Sequence, residues 1–157
     1  MKINIVAFMQ NPWFPPGTQR EVIDRYKTDQ EFHRRLLRET MSGYRLHQAF
    51  GDLFDRIHWD NVAPEAVDHP KKRSPVNVKH VDNVILTVKP NLILTFGEVA
   101  REAIADSIAA IRIKTMYCHH PNARYKFQAD LDYFGQQVWD YVLLMERKDE
   151  FTIADEE

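Results

Sequence analysis

Residues 91–110 read NLILTFGEVAREAIADSIAA, and the reading of this stretch decides the fold class. Residues 91–96 are a short apolar run with the length of one buried strand. After Gly97 the apolar positions return every three or four residues, as on one face of a helix, so the glycine marks a direct passage from strand to helix. A strand that runs straight into a helix is the repeating unit of a parallel sheet. Before this stretch, residues 76–88 carry a helical pattern. After it, residues 111–118 supply a strand, HHPNARYK a loop, and residues 128–145 a last helix with Leu131, Phe134, Val138 and Tyr141 at core-like spacing. Further out, residues 3–9 form an apolar strand that ends in the proline-rich NPWFPPG. Residues 18–41 are helical with Arg34, Arg35 and Arg38 on a polar face, Ser42 caps a helix to residue 50, and residues 54–59 are another strand. Four strands linked by helices predict an α/β fold: a three-layer α/β/α sandwich around a central four-stranded parallel sheet with right-handed crossovers.

With 157 residues, 44% hydrophobic and 28% charged, the chain has room for one compact domain, expected over residues 1–148. The opening MKINIVAFMQ is too short for a spanning helix and lacks a signal-peptide cleavage region, so a cytoplasmic monomer without membrane association is expected. Cys118 stands alone and supplies neither an internal disulfide nor a cysteine cluster; it is read as a small buried hydrophobe, and no metal or cofactor is expected. The formal net charge is −2, which runs against nucleic-acid binding at first sight. All 21 Lys and Arg lie at or before Lys148, however, whereas five of the 23 acids follow it. Residues 149–157 thus read as a solvated acidic tail, and the body is net positive. That balance permits a DNA partner without requiring one.

In an open parallel sheet the ligand site lies beyond the carboxyl ends of the strands. Gln10, Asn11, Pro12, Trp13 and Phe14 follow the first strand; Asp60 and Asn61 end the second; Gly97 and Glu98 follow the third; His119, His120, Pro121 and Asn122 follow the fourth. Amides, imidazoles and aromatics therefore gather at one edge. Such a set suits a flat heterocycle, because aromatics stack on its faces while amides read its donors and acceptors. The irregular stretch NVAPEAVDHPKKRSPVN at 61–77 is too long for a mere connection, and its Lys71, Lys72 and Arg73 are candidate phosphate contacts.

QNPW at 10–13 resembles the first motif of the uracil-DNA glycosylase superfamily, and HHPNAR at 119–124 resembles the second. Between them HWDN at 58–61, the Pro and Lys/Arg loop, and KPNLILTFGEVAREAI at 89–104 are similar to the middle of the family's thermophilic-type members. The resemblance implies a small, cluster-free glycosylase that hydrolyses the N-glycosidic bond of a flipped-out pyrimidine, uracil or a C5-modified base, and leaves an abasic site. It further implies that Asn11 positions the attacking water and that His120 hydrogen-bonds the base oxygen as charge builds on the leaving ring. Gln10 would bind a base carbonyl through its backbone, Asn61 would read the pyrimidine edge, and Phe14 or Trp13 would stack on the base. Asn122, Arg124 and Tyr125 fall where the family touches DNA.

The chain departs from the family pattern at Met9, where a Gly stands in motif one, at Asn122, where a Ser stands in motif two, and in lacking the four cluster-binding cysteines. Asn11 is an amide that orients water without taking its proton, so a slower enzyme than the Asp-bearing members is expected. Trp13 occupies the place where strict uracil enzymes carry a Tyr against C5. An inward indole would reject thymine, whereas one swung outward by Phe14, Pro15 and Pro16 leaves room for a C5 substituent; a purely core role is the third reading. Two further functions stand beside repair of uracil: excision of a hypermodified phage base in antiviral defence, and a non-catalytic module that binds modified DNA. A flavodoxin-like nucleotide site is disfavoured, because no glycine-rich phosphate loop follows the first strand.

Overall fold

The computed structural model describes residues 2–121 and 128–156, with side chains as far as Lys148. The elements run β1 (Ile5–Met9), α1 (Arg20–Thr28), α2 (Gln30–Arg38), α3 (Met41–Phe50), a 3-10 turn (Gly51–Arg56), β2 (Ile57–Asn61), α4 (Val78–Val88), β3 (Leu92–Phe96), α5 (Glu98–Ala105), β4 (Lys114–Cys118) and α6 (Gln128–Glu156). The strands form one sheet in the order β2-β1-β3-β4, every pair parallel. Met9 lies opposite Asn61, Phe8 opposite Thr95, and Phe96 opposite Cys118, so the four carboxyl ends are level.

Strand alternation sorts the core into two clusters. Ile5, Ala7, Ile57, Trp59, Leu92, Leu94 and Phe96 pack with Leu37, Leu46, Phe50, Phe134, Val138 and Val142, under α2, α3 and α6. Val6, Phe8 and Ile93 turn the other way, against Val81, Ile85, Ala100, Ala103 and Ile104 of α4 and α5. Helices thus cover both faces, the layering that the strand and helix pattern predicts. Cys118 is only half-buried and packs at the margin of the first cluster. On that first face α6 lies against α3 so closely that a Cβ on Gly135 would come within 2.4 Å of the Ala49 carbonyl oxygen. Only glycine permits that approach.

Several boundaries differ from expectation for local reasons. The 18–41 segment is two helices, broken at Asp29, whose carboxylate accepts from the Phe32 N–H and caps α2. Thr40, not Ser42, caps α3: its Oγ1 accepts from the Gly43 N–H at 3.0 Å. β2 starts at Ile57 because residues 51–56 form the 3-10 turn, and β4 starts at Lys114 because the chain turns from Ser107 to Ile113 through successive short hydrogen bonds. α6 continues past residue 145 to Glu156, so the backbone of residues 149–156 is helical.

The two outer strands are finished differently. The Gln30 side chain bonds Trp59 at both backbone groups, accepting from its N–H (2.5 Å) and donating to its C=O (3.1 Å), while the Arg34 guanidinium donates twice to the Ile57 carbonyl. Side chains of α2 thereby occupy the hydrogen-bonding edge of β2. On β4, Lys114 and Thr115 are exposed. No helix among the described residues is long and apolar enough to cross a membrane.

Candidate functional site

Reversal of strand order between β1 and β3 opens the crevice where parallel sheets hold ligands. The chain leaving β1 is fixed there by the 62–77 loop. Val62 N–H donates to Met9 O and Ala63 N–H to Gln10 O, extending the β1–β2 ladder. Val67 N–H then donates to Pro12 O, and Phe14 N–H to Val67 O at 2.8 Å, with Trp13 and Val67 forming a short parallel bridge. The loop returns through Asn77 N–H, which donates to Val62 O, and Asn77 caps α4 by accepting from His80 N–H. The long irregular stretch is therefore a brace on the first motif.

Within this frame Gln10 and Asn11 are half-buried, and Asn11 Nδ2 lies 3.4 Å from Pro12 O, leaving its Oδ1 to accept from another donor. Trp13 is 45% exposed, so it is not a core aromatic. Phe14 packs edge-on against Tyr26 with ring centroids 5.3 Å apart. Asn61 is buried, and its side chain lies close enough to the Tyr26 hydroxyl to favour the ionised phenol. Burial raises the pKa of that phenol despite the amide's opposing effect, so Tyr26 stays neutral.

On the far side of the crevice Gly97, at φ +93, turns β3 into α5, and its N–H donates to Cys118 O. A Cβ built there would sit 3.7 Å from the Cβ of His120, which places His120 beside the start of α5. His120 is half-buried while His119 is exposed. Burial, reinforced by the positive charge of Arg73, pushes the His120 imidazole below its ordinary value and keeps it neutral at pH 7. Arg73 is thus electrostatically coupled to His120, although the loop that carries it is exposed. Lys72 pairs with Asp68 at 2.7 Å, the Arg73 guanidinium donates to Pro70 O and Lys72 O, and Lys71 points to solvent with its neighbours. Asn122, Arg124 and Tyr125 lie outside the described residues. The flanks of that segment are both held by Arg45, whose Nη1 donates to Pro121 O at 2.7 Å and whose carbonyl accepts from Gln128 Nε2 at 3.0 Å.

Two cavities among the described residues are lined by neither Asn11 nor His120. The smaller in interest sits at the end of β4, between Tyr117, His119, Asp130, Tyr133 and Gln137. The other holds about 320 Å3 between β2, the α1–α2 junction and the start of α4, and Asn61 forms part of its wall with Tyr26, His33, His58, Asp60 and His80. Asp60 Oδ1 accepts from His80 Nε2 at 2.8 Å and from the Asn61 N–H at 2.7 Å; Oδ2 has His58 Nε2 at 3.7 Å. Burial would raise the Asp60 carboxyl, but His58, His80 and the Asn61 N–H together outweigh it and hold the group ionised well below the usual carboxylate range. The bond to Asp60 raises His80 in turn. His33 stacks on Tyr26 (3.9 Å between centroids), has Nδ1 3.2 Å from the Tyr26 carbonyl, and is lowered by burial to about 4. Sequence reasoning treated Asp60 only as the end of a strand and passed over Tyr26, His33, His58 and His80. The signal available was His58 and Asp60 at alternate positions on one face of a strand, polar where a covered strand carries apolar residues.

Among the described residues no group of three or more His, Cys, Asp or Glu is arranged to hold a metal ion. No protein-family model, curated protein or solved structure matches this chain. The fold and site define a four-stranded parallel α/β protein whose polar residues gather at the carboxyl edge of its sheet.

Proposed function

We propose that the protein is a DNA glycosylase that acts as a monomer, taking a flipped-out pyrimidine into the crevice at the carboxyl ends of β1 and β3 and hydrolysing its N-glycosidic bond. What supports this reading is the placement of a neutral, half-buried His120 beside Gly97, after β4, and of Asn11 and Phe14 after β1, at the carboxyl edge where strand order reverses. Water attacks C1′ as the C1′–N1 bond breaks, and the bonding pair leaves with the base as a delocalised anion. A neutral imidazole suits this step, because its N–H donates to the base oxygen as negative charge develops there. Asn11 Oδ1 accepts from the attacking water and orients it; the water proton goes to the departing base or to solvent, since an amide does not take it. Phe14 stacks on the ring, Asn61 meets its polar edge, and Gln10 contributes its backbone. Lys71, Lys72 and Arg73, with Asn122, Arg124 and Tyr125, serve the DNA backbone.

The test is a set of oligonucleotides bearing one uracil, a thymine mismatch, or a 5-substituted pyrimidine, incubated with the protein and then cleaved at abasic sites with alkali. Strand scission that depends on His120 is the expected result. No scission on any substrate overturns hydrolysis and leaves a module that binds modified DNA.

A further inference from the structure

Gln30 and Arg34 occupy the outer edge of β2, whereas the outer edge of β4 is open. Cys118 O accepts from Gly97 N–H, so Cys118 faces β3, as do Met116 and Lys114 at alternate positions. The backbone N–H and C=O groups of Thr115 and Tyr117 therefore point away from the sheet, and among the described residues nothing bonds to them there. No residue of β4 is fully buried, whereas β3 is buried throughout.

A stripe of α6 runs beside this edge. Asp130, Tyr133 and Gln137 form one wall of a cavity of about 340 Å3, with Tyr117, Cys118 and His119 at the carboxyl end of β4 opposite them. Tyr141 and Leu144 continue the stripe at three- and four-residue spacing, and the Tyr141 ring lies 5.7 Å from Lys114 Nζ at the amino end of β4. Tyr133 is 68% exposed and Leu144 65%, so the stripe is apolar surface without cover. The edge is also charged in opposite senses at its two ends, by Lys114 and by Asp130. Neither has an ion-pair partner among the described residues.

We propose that this edge is the contact between two copies of the chain, β4 against β4 antiparallel about a two-fold axis at Met116. Thr115 then lies opposite the partner's Tyr117 and exchanges both backbone hydrogen bonds with it, using the groups that point outward. A β-branched residue against an aromatic is a favourable cross-strand pair. Lys114 lies opposite the partner's Cys118, at the cavity that the partner's Asp130 lines, so unlike charges meet on both sides of the axis. A lysine on a sheet edge can serve only to keep edges apart. Pairing is favoured here because an acid stands where the second lysine arrives. The same axis sets the two α6 stripes side by side and covers Tyr133 and Leu144. Antiparallel pairing points the two carboxyl edges in opposite directions, so each crevice stays open and complete within one chain. One chain remains the catalytic unit, and the inference holds whatever reaction occurs there.

The experiment is sedimentation velocity from about 1 μM to about 1 mM. It uses the native protein, Thr115→Pro, Lys114→Glu, Asp130→Lys and the double variant with both charge reversals, each checked for folding by its thermal transition. Proline at 115 removes an outward N–H and leaves the ladder to β3 intact. The native chain is expected to pass from monomer to dimer as concentration rises. Thr115→Pro and each single reversal are expected to raise the dimer dissociation constant by about tenfold or more, and the double variant to restore it. The Thr115 and Tyr117 amides are expected to exchange slowly with solvent in the dimer and quickly on dilution. A native chain that stays monomeric throughout overturns the inference, leaving Lys114 as a guard or the edge to a strand of another protein. A dimer that survives Thr115→Pro and both single reversals overturns it too, because the copies then meet elsewhere.

Discussion

The two sides of the sheet carry the same type of side chain with its pKa shifted in opposite directions. On the β2 side His80 is tied to an ionised carboxylate and its pKa is raised; on the β4 side His120 has Arg73 as its charged influence, is desolvated, and is lowered. An imidazole beside a carboxylate holds its proton and serves as a fixed donor. A desolvated imidazole beside a cation remains neutral at pH 7, and its N–H strengthens as a donor only when negative charge appears in front of it. In the proposed glycosylase, the imidazole that would donate to the leaving base is the lowered one at the end of β4.

The largest effect that sharpens this contrast comes from a third imidazole, His33, which is buried and neutral. Its pKa of about 4 lies below the ordinary 6.5, so above pH 6.5 neither folded nor unfolded chain carries the proton. As pH falls from 6.5 to 4 the unfolded chain takes it up while the folded one does not, and stability falls by about 3 kcal/mol. His80 works in the other sense, adding stability as pH falls through its raised pKa. Urea unfolding of the native protein and His33→Phe at pH 7 and pH 4.5 is expected to show a smaller acid loss in the variant; equal losses would mean that His33 is not buried neutral.

Next in size, His120→Ala is expected to lower turnover on an excised base by at least about a hundredfold, about 2.7 kcal/mol, with DNA affinity little changed. Single-turnover rates and filter binding check it. A comparable loss in His119→Ala would move the chemistry to the exposed imidazole of the pair.

Gln30→Ala tests whether the β2 side is built as firmly as the cavity requires. The substitution unpairs the N–H and C=O of Trp59, a residue 1% exposed, and is expected to cost about 1–3 kcal/mol in urea unfolding. Smallest is Thr95→Val. The Thr95 hydroxyl is buried without a hydrogen-bond partner among the described residues, opposite Phe8, so a methyl of the same shape is expected to stabilise by about 1 kcal/mol or less. A clear loss of stability would show that the hydroxyl is satisfied by water.

The legible part of the fold lies in local pattern. Apolar runs give β1 and β3, Gly97 marks the passage to α5, and of the two edge strands β2 alternates buried with half-buried residues. The level carboxyl ends follow from the parallel order, and they bring Asn11, Phe14, Asn61 and Gly97 to one side. What pattern does not carry is pairing across elements. His80 meets Asp60 only because α4 packs beside β2, 20 residues away in sequence, and Gln30 meets Trp59 only because α2 folds along the same edge. The caps at Asp29 and Thr40 were hidden for a smaller reason: Ser42 is an equally good capping residue two positions later, and the choice is made by which hydroxyl reaches Gly43.

Arg45 grips both flanks of residues 122–127, through its guanidinium at Pro121 and its carbonyl at Gln128. Two ends held by one residue have their separation set by α3, not by the length of chain between them. A change of length between Pro121 and Gln128 is therefore expected to leave the sheet and its imidazoles where they are.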